Sequence, residues 1–402
     1  MGRRIEAKDV SGLKFFEKLS PLLERLHDVG TERDRAGSRK LHYDQYCMLV
    51  LLYLFSPLVT SMRALQQASE LDVVQKKLGV SRTSLGSFSE ATDVFDPDRL
   101  REIVQELGAQ LEPLPRDPQF KDVQHILTAV DGTLIKTLSR IVEAICSKSR
   151  STGKPKAAWR LHTHFEVERG LPVRIDVTGG SGKGEQDERA VLGKHLEPDR
   201  CYITDRGYAK FALFNDIHDI GSSYVCRIRD NSAYTILEER PLTEEDRAAG
   251  VLLDAIVAIG QDRAGRDRPN HSVRLVIVKT TPHQGHGEER GHDSDGFLRI
   301  LTNLLEVPAH VIATIYRYRW TIEVFFRFFK HILGCRHLLS TDPRGIEIQA
   351  YCAIIACLLI ALWAGRKPTK RTYEMVCFYL IGWASEDELL RHIEKLKKQA
   401  EA

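Results

Sequence analysis

The chain has 402 residues, of which 43% are hydrophobic and 28% are charged, as in soluble globular proteins with more than one domain. The net charge of +3 is too small to indicate nucleic-acid binding by itself. Eight cysteines form no CxxC pair, which argues against a zinc site or a disulfide framework and favours a cytoplasmic location. The longest apolar run, 350–364, is shorter than the ~20 residues that cross a bilayer, so we expect a buried helix and no membrane partner.

The N-terminal part of the chain predicts helices only. Apolar residues recur at helical spacing in five segments. These segments are 13–26, 43–55, 59–69, 71–78 and 101–111. Between the last two, VSRTSLGSFSEA (80–91) has the caps and small residues typical of a helix-turn-helix corner. Contact with DNA and simple packing both remain open for this region.

A strand-rich region begins near residue 125. The run ILTAVDGTLI (126–135) predicts a strand that carries Asp131, although Asp-Gly between apolar runs also indicates a hairpin turn. Apolar and polar residues then alternate over 160–167, which predicts a half-exposed strand. His162 and His164 share one face of that strand, but no third metal ligand is evident.

A second acidic residue lies at the end of a later strand. Residues 201–204 predict a short strand that ends at Asp205, within the sequence TDRGY. A helix over 208–217 follows, so Asp205 is also a candidate cap for that helix. Strands joined by short turns should be antiparallel and those joined by helices parallel, so the order of elements predicts a mixed sheet. Residues 230–297 then predict a β-rich insertion with very polar loops.

The segment IYRYRWTIEVFFRFFKHIL (315–333) predicts a helix that is apolar on most sides. Four polar residues, Tyr316, Arg319, Glu323 and Lys330, fall within an arc of roughly 60° on that helix. One interpretation is an internal salt bridge between Arg319 and Glu323. The other is a carboxylate that binds a metal beside cations that bind phosphate.

Asp131, Asp205 and Glu323 are the candidate metal ligands. Their elements can converge at one edge of the sheet, where three carboxylates would repel one another unless divalent cations neutralised them. Carboxylate oxygens suit Mg²⁺ or Mn²⁺. Two such ions about 4 Å apart activate an attacking oxygen and stabilise a leaving oxygen in phosphoryl transfer.

The spacing Tyr316-x2-Arg319-x3-Glu323-x6-Lys330 resembles the Y-x2-R-x3-E-x6-K signature of bacterial insertion-sequence DDE transposases, in the insertion-sequence-4 family. The VDGT element around Asp131, the TDRGY element around Asp205 and the RW-x-IE phrase also resemble that family. The resemblance covers about 125–365. Residues 230–297 contain no tryptophan, whereas the insertion of some members supplies one that stacks on a flipped base. The resemblance therefore does not assign a DNA hairpin intermediate.

The resemblance implies an α/β protein with an RNase H-like mixed-sheet core, a β-rich insertion, an all-helical N-terminal domain and a helical tail. It implies that Asp131, Asp205 and Glu323 are the catalytic metal ligands, with two Mg²⁺ or Mn²⁺ ions, and that Tyr316, Arg319 and Lys330 contact DNA. The implied partners are double-stranded DNA and a second copy of the chain in the DNA complex. The expected divisions are 1–118, 119–229, 230–297, 298–370 and 371–402.

Three functions are compatible with these residues. The first is an active transposase that cleaves the ends of its element and joins them to target DNA. The second is a catalytically silent DNA-binding protein descended from a transposase, against which the intact set of three acids argues. The third is a related nuclease without strand transfer.

Overall fold

The structure is a computed structural model, and it describes residues 16–29, 39–111, 118–121, 123–137, 145–148, 155–260, 268–280, 296–334, 338–364 and 369–401. The prolines at 113 and 115 of the expected linker and most of the insertion's polar loops lie outside these ranges.

The N-terminal part is helical, as predicted. Its helices are α1 (Phe16–Glu24), α2 (Tyr43–Phe55), α3 (Met62–Ser69), α4 (Asp72–Leu78), α5 (Leu85–Val94) and α6 (Asp98–Ala109). Gly79 adopts the left-handed conformation that ends α4, and Ser84 caps α5 by accepting the Ser87 backbone N–H. The expected corner at 80–91 therefore comprises the turn after α4 and the first residues of α5.

The N-terminal helices share one apolar core with the end of the chain. Helices α12 (Pro343–Ala364), α13 (Lys370–Leu380) and α14 (Glu386–Glu401) contribute buried residues to the same cluster. The Tyr373 hydroxyl of α13, for example, donates to the Leu54 carbonyl of α2 at 2.5 Å. The expected domain boundaries remain predictions, but burial of this cluster requires both ends of the chain.

The long apolar helix α12 is longer than expected. By length and composition, residues 343–362 are sufficient to cross a membrane, and 89% of the most apolar part of this stretch is buried inside the protein. Helix α12 is thus a buried helix within the layer formed by α1–α6 and α12–α14, which we call the helical layer. A buried helix was predicted for residues 350–364.

Gly345 allows α12 to approach α5 closely. A Cβ at this position would lie 2.5 Å from both Ser340 Cβ and Thr92 Cγ2. We therefore expect Gly345→Ala to destabilise the protein by about 1–3 kcal/mol, the usual range for overpacking. Urea unfolding measures this change.

Gly193→Ala is the matched control. Gly193 lies exposed in α7 (Glu188–Lys194), and the nearest atom to its Cβ position is 4.0 Å away. Alanine there should stabilise the helix by about 0.5–1 kcal/mol, because glycine has the greater backbone freedom when unfolded. Equal effects of the two substitutions would show that the close approach at Gly345 does not limit stability.

The residues that the structure describes also form a ten-stranded mixed sheet. Its strands are β1 (Ile126–Thr137), β2 (Ile145–Lys148), β3 (Pro155–Glu166), β4 (Leu171–Gly179), β5 (Arg200–Thr204), β6 (Ser223–Arg227), β7 (Tyr234–Glu239), β8 (Val251–Ile259), β9 (Val273–Lys279) and β10 (Phe297–Thr302). The order is β2-β3-β1-β5-β6-β10-β9-β8-β7, and β4 also pairs with β3. Strand β1 is antiparallel to β3 and parallel to β5, which is parallel to β6. The predicted α/β class with an RNase H-like core is confirmed.

The insertion extends the sheet of the core. Strands β7, β8 and β9 form an antiparallel series, as the predicted β-like runs required. Strand β10 lies between β9 and β6 and is antiparallel to both. A short helix, α9 (Glu244–Ala248), was not predicted, and Thr243 caps it through a capping box with Asp246.

The predicted strand around Asp131 is confirmed and the alternative of a hairpin turn there is excluded, whereas the prediction that β3 is half-exposed is wrong. Strand β1 continues through Asp131 and Gly132, with Asp131 opposite Thr163, so no hairpin turn occurs there. Strand β3 is buried on both faces, because α7 and the helical layer cover it. His162 and His164 are therefore buried, and the His162 ring contacts Thr178 Oγ1 at 2.8 Å.

The segment 315–333 forms two helices, so the predicted single helix is wrong. Helix α10 (Ala309–Arg317) ends at a turn, and α11 (Trp320–Gly334) begins after it. The backbone N–H groups of Tyr318 and Arg319 bond to carbonyls three residues earlier, which tightens the chain into this turn. Tyr316 thus lies on α10, whereas Glu323 and Lys330 lie on α11.

Candidate active site

The pleat of the sheet decides which side chains can meet. Leu127 and Ala129 of β1 pack in the cluster that contains α10 and α11, whereas Val130 packs against α7 and α8 (Phe211–Asp219). Because side chains alternate along a strand, Asp131 faces α10 and α11, and the Cα of Gly132 faces α7 and α8.

Asp131 and Asp205 lie at corresponding positions on neighbouring parallel strands. Ala129 pairs with Ile203, and each aspartate follows two residues later. Each carboxylate accepts a nearby backbone N–H, that of Gly132 at 2.8 Å and that of Gly207 at 2.7 Å. Asp205 does not cap the following helix, because the N-cap of α8 is Lys210.

Burial raises the pKa of the Asp131 carboxyl to about 6. The Gly132 N–H and the Arg319 guanidinium oppose this rise in pKa, and the carboxylates of Asp205 and Glu188 add to it. Burial therefore makes the charged form of Asp131 unfavourable without a partner, which favours a bound proton or cation.

Arg319 connects Asp131 with the third candidate acid. Its Nη2 donates to Glu323 Oε1 at 2.6 Å, and its Nη1 lies 3.7 Å from Asp131 Oδ2. The predicted Arg319–Glu323 salt bridge thus exists, and it lies directly beside Asp131. Both interpretations of these residues, an internal salt bridge and a metal ligand beside a phosphate-binding cation, are compatible with this geometry.

The other two polar residues of the segment have different surroundings. Tyr316 is buried, and burial raises its pKa to about 12, although the Arg319 charge lowers it. Its hydroxyl is therefore a neutral hydrogen-bond donor. Lys330 is exposed on α11, two turns beyond Glu323.

Three residues around the aspartates were not predicted as site residues. Glu188 begins α7 and pairs with Arg160 of β3, while the buried Tyr208 follows Asp205 by three residues. An acidic residue in the first turn of a helix usually complements the helix dipole. Nothing in the sequence therefore indicates that Glu188 lies beside the aspartates.

The candidate acids fit a divalent cation in chemistry, since all offer hard oxygen ligands. Among the residues that the structure describes, the only three possible ligand atoms within 4.8 Å of one another belong to His27, Asp28 and His42. Asp131, Asp205 and Glu323 are thus not closed into a cage. The Arg319 guanidinium supplies the positive charge between two of them.

Comparisons with known proteins show the family to which this chain is similar. Residues 123–359, more than half of the chain, match the family described as "Transposase DDE domain". The protein of Sinorhizobium fredii named as transposase y4zB is 24% identical over 64% of this chain and 65% of its own length. The protein of Geobacillus stearothermophilus named as a transposase for insertion sequence element IS5377 is 25% identical over 56% of this chain and 54% of its own length.

A third relative and a solved structure are also similar to this chain. The protein of Synechocystis named as a transposase for insertion sequence element IS4SA is 23% identical over 69% of this chain and 71% of its own length. A structure of the piggyBac transposase synaptic complex with hairpin DNA overlaps 97% of this chain and 85% of that one, with 10% identity and a TM-score of 0.41.

The chain thus spans about two thirds or less of the first two of these relatives. The family match nevertheless covers both aspartates and helices α10 and α11. It confirms the resemblance to insertion-sequence DDE transposases at the level of the family. The chain belongs to the family of transposases with a DDE domain.

Proposed function

We propose that this protein is an active transposase, which binds the terminal inverted repeats of its insertion sequence, cleaves the ends and joins the 3′-OH ends to target DNA. The observation that carries this proposal is the meeting of Asp131 and Asp205 at corresponding positions of β1 and β5, with Glu323 linked to Asp131 through Arg319. The reaction would take place in the cytoplasm, on chromosomal DNA.

Asp131, Asp205 and Glu323 would hold two Mg²⁺ or Mn²⁺ ions. When bound, these ions activate the attacking oxygen and stabilise the leaving oxygen of an in-line displacement at phosphorus. The backbone N–H groups of Gly132 and Gly207 fix the orientation of the two aspartates. Because Asp131 and Asp205 are already oriented, they need little rearrangement to bind the ions, and this preorganisation supports an in-line displacement.

Arg319 and Lys330 would position the DNA. Arg319 releases Glu323 and Asp131 when divalent cations replace its charge, and its guanidinium can then hold a phosphate through two parallel hydrogen bonds. Tyr316, a neutral donor, would contribute a further hydrogen bond to the same backbone. Two chains would act on the two ends of one element, which is the basis for a homodimer in the DNA complex.

A DNA cleavage assay tests this function. The DNA that flanks the gene should contain short inverted repeats, and a fragment with such an end should be cleaved in Mg²⁺ to a free 3′-OH. The same reaction should then join that end to a target plasmid. Cleavage without joining would indicate a nuclease, and binding without cleavage would indicate a silent DNA-binding protein.

Lys330→Ala separates DNA contact from folding. Lys330 is exposed and two turns from Glu323, so we expect the variant to melt close to the wild-type temperature. It should bind end DNA less tightly, and the slope of log affinity against log salt should be shallower by about one, the value for one phosphate contact. Melting curves and a salt titration of end binding measure both properties.

Lys370→Ala is the control for loss of an exposed lysine, because Lys370 pairs at the surface with Glu374 at the start of α13. It should leave the salt slope unchanged. A large fall in the melting temperature of Lys330→Ala, with unchanged DNA affinity, would mean that Lys330 is structural.

A further inference from the structure

Glu188 occupies the space beside the two aspartates. If Gly132 carried a Cβ, that atom would lie 2.5 Å from Glu188 Oε1. If Gly207 carried one, it would lie 2.9 Å from Asp205 Oδ1 and 3.7 Å from Glu188 Oε2. The carboxylates of Glu188 and Asp205 therefore approach the same point, which the absence of a side chain at Gly207 leaves open.

Glu188 and Glu323 reach this region from opposite sides of the sheet. Helix α7 packs on the face of Val130, and α11 packs on the face of Ala129. Strand β5 ends at Thr204, so beyond it no β5 backbone separates the two faces. Carboxylates from α7 and α11 can therefore approach the same cation at the end of β5.

Arg160 is the ion-pair partner of Glu188. Its Nη1 forms a close ion pair with Glu188 Oε1, whereas its buried Nε has no hydrogen-bond partner among the described residues. Arg319 occupies a similar position between Asp131 and Glu323. Four carboxylates and two guanidinium groups thus surround the site, and each guanidinium supplies charge that a divalent cation would replace.

Tyr208 provides an independent observation. Its side chain is 1% exposed, and its hydroxyl has no hydrogen-bond partner among the described residues. Burial raises the pKa of this phenol, and the charges of Glu188, Asp131 and Asp205 add to the rise in pKa. An unpaired buried hydroxyl is unfavourable. Its position among these carboxylates indicates a site that a further ligand completes.

We propose that Glu188 is a fourth carboxylate of the metal centre, which releases Arg160 and binds a divalent cation in its place. This inference rests on the proposed function, because it assumes that Asp131 and Asp205 bind metal. Charge balance supports this inference. Two divalent cations carry four positive charges, and Glu188 raises the number of carboxylates around them from three to four. Arg160, once released, would lie beside the site as a second cation able to contact a DNA phosphate.

The alternative is that the ion pair between Arg160 and Glu188 only stabilises the packing of α7 on β3. A merely structural pair would affect folding but not the affinity for metal. Direct binding of Mn²⁺ to the whole protein without DNA, measured by calorimetry, therefore distinguishes the two roles and does not depend on catalysis.

We expect Glu188→Gln to weaken Mn²⁺ binding by 10-fold or more, since removal of even an indirect partner of a metal ligand usually costs about 10–100-fold. Arg160→Gln should strengthen Mn²⁺ binding, because it removes the competitor for Glu188. Glu185→Gln is the matched control: Glu185 is three residues away, its side chain is 88% exposed, and it pairs with Lys194. It should bind Mn²⁺ like the wild type.

The double substitution shows how Arg160 acts. If Arg160 competes by occupying Glu188, Arg160→Gln should have no effect in the Glu188→Gln background. If Arg160 acts only through its long-range charge, the increase in affinity should persist there. Persistence, or a Glu188→Gln affinity equal to that of Glu185→Gln, would overturn the inference.

Asp205→Asn separates this inference from the proposed function. Loss of Mn²⁺ binding in Asp205→Asn but not in Glu188→Gln would refute the fourth ligand and leave the transposase proposal intact. Normal Mn²⁺ binding in Asp205→Asn would refute the metal centre itself. If Glu188→Gln does not fold, Arg160→Gln alone decides, because unchanged affinity in that variant contradicts competition for Glu188.

Discussion

Asp131→Ala, Asp205→Ala and Glu323→Gln should each lower end cleavage to less than about one-hundredth of the wild-type rate, because loss of an indirect partner of a metal ligand alone costs about 10–100-fold. Each substitution removes one oxygen ligand from the proposed metal centre. Binding of end DNA should remain, since none of the three supplies positive charge to a phosphate. A gel assay for cleavage and a binding assay in Ca²⁺ measure the two properties separately.

Asp176→Asn is a suitable control for the loss of an acid. Asp176 of β4 pairs with Arg174 and His195, and β3 separates its strand from β1 and β5, which carry the two aspartates. The variant should retain cleavage in proportion to its folded fraction. Near-normal cleavage by any one of the three site variants would refute the catalytic role of that residue.

The aspartates were predictable because local sequence decides their position. Apolar runs of strand length precede both Asp131 and Asp205, and helices after the later strands favour parallel pairing. These two facts predict a mixed sheet but do not by themselves place β1 beside β5, and the register of Ala129 with Ile203 shows that the two strands are neighbours. Only the Asp-Gly turn signal pointed elsewhere, and pairing with β3 overrides it.

The turn before α11 was not predictable from periodicity. The segment 315–333 contains no glycine or proline that would break a helix. The turn is instead accompanied by one tertiary and one local contact. The Tyr318 ring packs edge-on against Phe120 at 5.3 Å, and the Thr321 hydroxyl donates to the Tyr318 carbonyl, three residues earlier, at 2.6 Å. A helical wheel therefore placed Tyr316 and Glu323 on one helix, whereas the folded chain places them on two.

Glu188 and the shared helical core were missed for a related reason. The partners of Glu188 are Arg160, 28 residues earlier, and the open space above Gly132 and Gly207. The hydroxyl of Tyr373 contacts a carbonyl 319 residues away. Contacts this distant in sequence leave no periodic pattern, so they are visible only after the sheet and the helical layer have formed.

Arg319→Ala should both destabilise the metal-free protein and weaken end binding. Removal of a fully buried partner costs about 3–5 kcal/mol. The Glu323 side chain, however, is 31% exposed, so solvent screening should reduce the loss to roughly 1–2 kcal/mol. Arg319→Lys keeps the charge without the two-pronged guanidinium, and it should recover most of the stability but little of the DNA affinity.

Mg²⁺ distinguishes the two roles of Arg319. If its charge stands in for a divalent cation between Asp131 and Glu323, saturating Mg²⁺ should shrink the stability difference between Arg319→Ala and the wild type, because cation binding to the folded state adds stability. The loss of end-DNA affinity should persist in Mg²⁺, since the metal does not replace a phosphate contact. A stability difference that is unchanged by Mg²⁺, together with normal DNA affinity, would make Arg319 a purely structural partner of Glu323. The proposed phosphate contact would then have to come from other cations near the site.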